Sequence, residues 1–337
     1  MATSVTIPSR AEPAGEIDAG RVTATRYGLP LASVPHGEVD WAAYIERAQS
    51  SLGLSGSGQR SGTIYLSDSY PLSRTLNLDS HVAIEGTVRA KHHIGSSHGF
   101  YALEDFVGES VLNWKKPGDD KNYSNFGAGI HQVHIQSVPG LSGVSFRGAQ
   151  QSARIDNLVI RGFGPATGLI IGGDTFTVSD LFVDALKGGD QSGTIPGSTG
   201  IRLEGRVYSV PFNNFTVHNC ETGLEWSDAH QIRLTNFETE LTTRPLVSTY
   251  NSIGVTVRNC CFRHTEEILE VKRARWPANY GIEISGMMAD HSLGRVTIEG
   301  TEVVTAKAFD LVIEGDRHGV EIHDLRRMRT RFMGCKG

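Results

Sequence analysis

Between residues 132 and 263 the chain repeats one short phrase: a polar residue followed by apolar, outward, apolar and outward positions. The phrases are Gln132-Val-His-Ile-Gln136, Asn157-Leu-Val-Ile-Arg161, Asp180-Leu-Phe-Val-Asp184, Asn214-Phe-Thr-Val-His218, Asn236-Phe-Glu-Thr-Glu240 and Asn259-Cys-Cys-Phe-Arg263. Their first residues lie 25, 23, 34, 22 and 23 positions apart. A second strand follows in most repeats: Gly143-Val-Ser-Phe146, Gly168-Leu-Ile-Ile171, Gly200-Ile-Arg-Leu203 and Gly223-Leu-Glu-Trp226. A period of roughly 20–25 residues carrying two or three short strands is the mark of a β-solenoid. One coil cannot bury its apolar row alone, so coils stack about 4.8 Å apart and fill a continuous interior. A leucine-rich repeat would need a leucine consensus that is absent. The expected fold is therefore all-β, a single right-handed parallel β-helix, with Val133, Leu158, Leu181, Phe215 and Phe237 stacked in one inward column.

The first residue of each phrase marks a bend. Asn and Asp tolerate left-handed backbone, and the column Asn157, Asp180, Asn214, Asn236, Asn259 fits an amide ladder, expected at a buried bend and hydrogen-bonded along the axis. The 34-residue repeat contains an insertion at 187–197. Glycine supports the same reading: 39 of 337 residues, above the usual share of about 7% and without a collagen period, indicate many strands joined by tight turns.

Upstream, Asp40 can cap a helix in which Tyr44, Ile45, Ala48 and Leu52 recur at three- and four-residue spacing. Short strands follow at 63–66, 76–78 and 82–85. The expected organisation is an N-terminal arm (1–37), the β-helix (38–330) and a tail (331–337). Met1-Ala-Thr-Ser4 lacks the apolar core of a signal peptide. The expectation is a cytoplasmic or virion-associated protein, or one secreted with its leader removed. No stretch approaches the ~20 apolar residues of a membrane span.

Net charge is −5, with acids and bases interspersed, which does not suit nucleic acid. The basic run Arg326, Arg327, Arg329 and Arg331 reads as a solvated tail. Cys220, Cys260, Cys261 and Cys335 form neither a zinc spacing nor a disulfide framework. His92, His93 and His98 lack a carboxylate or Cys at ligand spacing, so no metal and no cofactor is expected.

Several segments carry a family resemblance. They are Asp40-Trp-Ala-Ala-Tyr-Ile-Glu-Arg-Ala48, Gly62-Thr-Ile-Tyr-Leu66, Tyr70-Pro-Leu72, Leu76-Asn-Leu78, Val82-Ala-Ile-Glu-Gly86, the run from Gly143 to Leu158 and the run from Asn214 to Leu224. Together they resemble the pectate-lyase-like (pectin-lyase-fold) β-helix superfamily, in particular the branch shared by phage tailspikes and family 55 β-1,3-glucanases. Ser67-Asp-Ser69 departs from the usual Pro-x-Gly before the tyrosine. A weaker likeness to inulin fructotransferases lies in Val82–Gly86 followed by Ser97-His-Gly-Phe100. The resemblance covers most of residues 38–325 and implies a poly- or oligosaccharide partner and, by analogy, a homotrimer. It leaves the reaction open.

Candidate chemistry comes from the repeat register. The last outward positions form the column Gln136, Arg161, Asp184, His218, Glu240, Arg263; the earlier ones form His134, Val159, Phe182, Thr216, Glu238, Cys261. Asp184 and Glu240 bracket His218 from alternate coils, about 10 Å apart at the backbone. Leaning side chains could bring them into the 6.5–9.5 Å range, roughly, of an inverting glycosidase, where one carboxyl protonates the leaving oxygen and the other activates water. Glu238 is a second candidate partner. A lyase or epimerase would instead use a base and cations, with Arg161, His218 and Arg263 as parts. The alternative is a solvated sheet face with surface ion pairs of little worth. Asp180 belongs to the bend ladder, Asp156 suits a turn, and Glu204 and Glu225 read as solvated.

Solenoid insertions usually map to the binding face. The segments 87–128, 185–199 and 271–281 carry Trp114, Lys115, Lys116 and Tyr123, and Arg273, Arg275, Trp276 and Tyr280. Exposed aromatics beside cations suit sugar rings, so Trp114, Trp276 and Tyr280 join Arg161 and Arg263 as candidate substrate-binding residues. Two classes remain open: a carbohydrate-active enzyme, foremost a glycoside hydrolase, and a non-catalytic glycan-binding tailspike or adhesin.

Overall fold

The computed structural model describes residues 3–7, 21–23, 40–54, 60–66, 69–86, 99–114, 127–187, 193–265, 267–271, 280–285, 288–290, 295–299 and 311–314. The protein is a right-handed parallel β-helix, and its strands form two ladders. The first ladder stacks Ser61–Leu66, His81–Glu85, Gly129–Gln136, Arg154–Arg161, Thr177–Asp184, Pro211–His218, Arg233–Glu240 and Cys261–Arg263, each parallel to the next. The second stacks Ser69–Leu78, Gly99–Trp114, Ser142–Ala149, Thr167–Asp174, Ile195–Tyr208, Cys220–His230 and the start of Arg244–Arg258. The chain alternates between ladders, one strand of each per coil.

Register follows the apolar alternation. Val133, Leu158, Leu181, Phe215 and Phe237 are Cα partners in one row, and all five are buried. Within it the rings of Phe215 and Phe237 stack at 4.1 Å between centroids, nearly parallel at 10°. A one-residue slip would turn this row to solvent, so burial fixes the pairing.

The bend ladder has left-handed backbone throughout: φ is 50° at Asn157, 54° at Asp180, 53° at Asn214, 55° at Asn236 and 54° at Asn259. Asn236 Nδ2 donates to Asn214 Oδ1 at 2.8 Å, and Asn214 Nδ2 to Asp180 Oδ1 at 3.4 Å. The expectation of a buried bend is corrected here: Asn214, Asn236 and Asn259 are exposed. The amides stack on the outside of the corner, so their contribution is backbone tolerance more than polar satisfaction. Two further left-handed corners complete each coil. One runs Ser152, Thr175, Ser209, Gln231; the other Gly162, Asn219, Leu241, His264.

The helix Ala42–Ser50 packs beside the first strand of the second ladder, burying Ala42, Ile45 and Ala48, with Leu52 following it. Asp40 Oδ1 accepts from the Ala42 and Ser73 amides, both at 3.1 Å, and Glu46 takes a bidentate pair of hydrogen bonds from Arg74 at 2.8 Å. Residues 1–37 are not only an arm: Thr3–Ile7 and Arg21–Thr23 pair in parallel, the former onto Ser61–Leu66. The tail 331–337 and the arginines at 326–331 lie outside the described residues. No helix among the described residues is long and apolar enough to cross a membrane.

Candidate functional site

The outward columns read from the repeat exist as registered rows. Arg161, Asp184, His218, Glu240 and Arg263 are successive Cα partners, and so are Val159, Phe182, Thr216, Glu238 and Cys261. Their environments differ along the row. Asp184 is only 2% exposed, and its Oδ1 accepts from the Leu186 amide and from Asn219 Nδ2, both at 2.9 Å. That carboxylate holds the corner after its own strand. Arg161 is buried too, its guanidinium 5.0 Å from the Phe182 ring centroid, and Phe182 meets His218 edge-on at 5.1 Å. Further along, His218 Nε2 lies 3.9 Å from Glu240 Oε2, and Arg263 Nη1 lies 3.1 Å from Glu238 Oε1. The Glu238 charge, against some desolvation, raises the Arg263 pKa. The structure thus brings His218 and Glu240 together, ties Glu238 to Arg263, and assigns Asp184 to a turn.

Trp114 is corrected. It closes the strand Gly99–Trp114, is 1% exposed, donates its indole N–H to the Val82 carbonyl at 2.9 Å and packs edge-on against Phe146 at 4.8 Å. It is a core residue with a satisfied polar handle, and sequence pattern missed the strand because residues 99–114 mix apolar and charged positions. Trp276 lies outside the described residues; of Tyr280 only its place at the start of the strand Tyr280–Ser285 is described. Also outside are His92, His93, His98, Lys115, Lys116, Tyr123, Arg273 and Arg275. Asp156 is buried and held by His131, by Arg154 at 3.2 Å and by Asn157 Nδ2 at 3.2 Å. Cys220 and Cys260 are buried; burial pushes both thiols up, Cys260 to about 12, which makes them poor nucleophiles. Among the described residues no three His, Cys, Asp or Glu side chains gather as a metal site.

A second constellation lies on the outer face of the second ladder. Its cause is a mismatch in coil length. Between the paired positions Ile171 and Gly173 the strand Thr167–Asp174 has one residue, Gly172, while the strands on either side bulge outward with Arg147–Gly148 and Glu204–Gly205–Arg206. Arg147 and Glu204 reach across this short coil and form an ion pair above Gly172. A Cβ on Gly172 would stand 2.7 Å from the Glu204 carbonyl oxygen, so the close approach requires glycine. The result is a cleft of about 710 Å³ floored by Gly148, Gly172, Gly173 and Gly205 and walled by Arg147, Asp174, Glu204, Arg206 and Tyr208. Tyr208 is 40% exposed, and its ring leans toward His230 at 5.9 Å. Behind the wall, Arg206 pairs with Asp228 at 3.1 Å and His230 Nε2 with the same carboxylate at 2.8 Å.

Arg147 also borders a second cleft of about 440 Å³, lined with amides and hydroxyls that include Thr75, Asn77, Asn113, Ser142 and Ser145. Asn113 Nδ2 donates to Asn77 Oδ1 at 2.9 Å, and Arg147 Nη1 to Ser145 Oγ at 2.7 Å. The two clefts adjoin at Arg147 and cross five successive strands, from Ser69–Leu78 to Ile195–Tyr208. Together the two clefts span four strand steps of about 4.8 Å, roughly 19 Å, with Arg147 between them. The sequence hid them: the floor depends on bulges, which break the alternation that exposes the first ladder. Glu204 read as solvated, and it is the lip of the cleft. The one available signal was glycine in pairs, Gly172-Gly173, at the end of a strand.

No protein-family model matches the sequence, and no curated protein matches it. Among solved structures, the Dettilon tailspike protein matches with a TM-score of 0.53 at 12% identity, over 91% of this chain and 64% of that one. A tailspike of an Acinetobacter phage gives 0.49 at 11% identity, over 88% of this chain and 57% of that one. The catalytic unit of a GH87 alpha-1,3-glucanase from Streptomyces thermodiastaticus gives 0.43 at 11% identity, covering 92% and 66%. The chain spans less than two thirds of the length of each. At 12% identity the likeness to the Dettilon tailspike is one of fold alone. By its fold the chain is a right-handed parallel β-helix.

Proposed function

We propose that this protein acts on a polysaccharide laid along the outer face of the second ladder, and that it does so as a glycoside hydrolase. The fold alone assigns no substrate. The observation that carries the reading is the groove itself, elongated across five coils and lined by side chains that hydrogen-bond hydroxyl groups. Asn77, Asn113 and Ser142 present amides and a hydroxyl along its length, and the exposed ring of Tyr208 offers a stacking surface at one end. Gly205, with open space where a Cβ would stand, lets a sugar ring approach the backbone there. Glu204 and Asp174 are the carboxylates that line the larger cleft. Hydrolysis of a glycosidic bond needs two such groups, one to protonate the departing oxygen and one to activate water or attack the sugar. The assay is incubation with a polysaccharide panel, reading new reducing ends. Glu204→Gln and Asp174→Asn should each remove most turnover with glycan binding retained. Full activity in both variants would take the chemistry away from this cleft. Product absorbing in the near ultraviolet would identify a lyase, and binding without product an adhesin.

A second reading places catalysis on the first ladder, supported by the 3.9 Å approach of His218 and Glu240. There His218→Gln and Glu240→Gln would abolish turnover while the cleft variants stay active. By analogy with tailspikes, the proposal includes a homotrimer; light scattering that returns the monomer mass of 36.6 kDa would end it.

A further inference from the structure

Resting on the groove reading above, we infer that the groove takes an uncharged glycan and discriminates against uronates and other anionic sugars. Each arginine on its walls faces a carboxylate. Arg147 pairs with Glu204, and Arg206 with Asp228 at 3.1 Å; beside them Arg202 is held by Glu225 at 3.2 Å. The two clefts together are lined by two arginines against three carboxylates, Glu109, Asp174 and Glu204, with no lysine among the described lining residues. A sugar carboxylate entering here would meet a net negative wall whose guanidiniums each already face a protein carboxylate. Binding its anion means desolvating it without a free cation, which is costly. Neutral hydroxyls meet no such cost: the Asn77 and Asn113 amides have donor and acceptor capacity beyond their mutual hydrogen bond, and the Ser142 hydroxyl can donate or accept.

The test uses calorimetry with neutral gluco- and galacto-oligosaccharides against oligogalacturonate, on the full chain and on Gly205→Asn. Gly205 has φ of 70° and open space where a Cβ would stand. Asn accepts that backbone, so its side chain should fill the cleft without unfolding the coil. The expected result is neutral-sugar binding that Gly205→Asn weakens more than tenfold. It should be unchanged between about 0.01 and 1 M salt, over which the Debye length falls from about 30 to about 3 Å. Asp228→Asn, which releases Arg206, should raise oligogalacturonate affinity by up to about fivefold, the scale of one exposed ion pair. Oligogalacturonate binding to the wild type that is salt-sensitive and blocked by Gly205→Asn would overturn this inference and leave the groove reading standing. Glycan binding that Gly205→Asn leaves untouched would overturn both.

Discussion

Mild acid should weaken this fold through His134, and the size of the effect follows from its surroundings. His134 stands on an outward row of the first ladder, paired in register with Val159 and with Gly99 of the second ladder. It is mostly buried. Burial, and then the charge of nearby Arg161, lower its pKa from 6.5 to about 4. In the unfolded chain the same imidazole titrates near 6.5. Above that pH both states are neutral and His134 contributes nothing to pH dependence. As pH falls below 6.5, the unfolded chain takes up a proton that the folded chain refuses until about pH 4, so stability is lost across that window. The gap of about 2.5 units, at about 1.36 kcal/mol each, amounts to roughly 3 kcal/mol. Urea unfolding of the wild type and His134→Gln at about pH 7 and about pH 4 isolates this contribution from other titrating groups. The wild type should lose roughly 3 kcal/mol more than the variant between the two conditions. A difference between the two proteins that stays constant with pH would refute the assignment.

Two further predictions concern the coils. Asn236→Ala should cost about 1–2 kcal/mol because it forces alanine into φ of 55°, whereas Asn236→Gly should cost less; equal melting temperatures for wild type and both variants would argue against the backbone account. Phe237→Ala should cost about 3–5 kcal/mol by opening a cavity beneath the ring of Phe215, and a loss under about 1 kcal/mol would show that this stack does not hold the coils together.

How much of this was readable in the sequence depends on which ladder is considered. The first ladder obeys simple alternation, so the phrase beginning at Asn157 or Asn214 reveals strand, bend and face at once, and its registered rows follow. Burial along those rows was not legible. Asp184 and Arg161 occupy outward positions by alternation, yet Asn219, Leu186 and Phe182 enclose them through contacts that no local pattern encodes. The other two left-handed corners use Ser, Thr, Gln, Asn, Leu, Gly and His, so no single chemistry marks them. The second ladder breaks its own period by bulging at Arg147–Gly148 and at Glu204–Gly205. The cleft arises from three neighbouring coils differing in length, a property of their stacking and of none of them singly. Trp114 illustrates the same limit from the other side: an aromatic in a polar stretch looked exposed, and its position at the end of a long strand made it core.

The central claim is the location of the glycan. A crystal structure with a bound neutral oligosaccharide of four or so residues tests it most directly. The expected result is sugar density running across the strands from Asn77 to Tyr208, with a ring beside Gly205 and hydroxyls within hydrogen-bond distance of Asn113, Ser142 and Glu204. Density instead on the first ladder, beside His218 and Glu240, with the Gly172–Gly173 cleft empty, would contradict it.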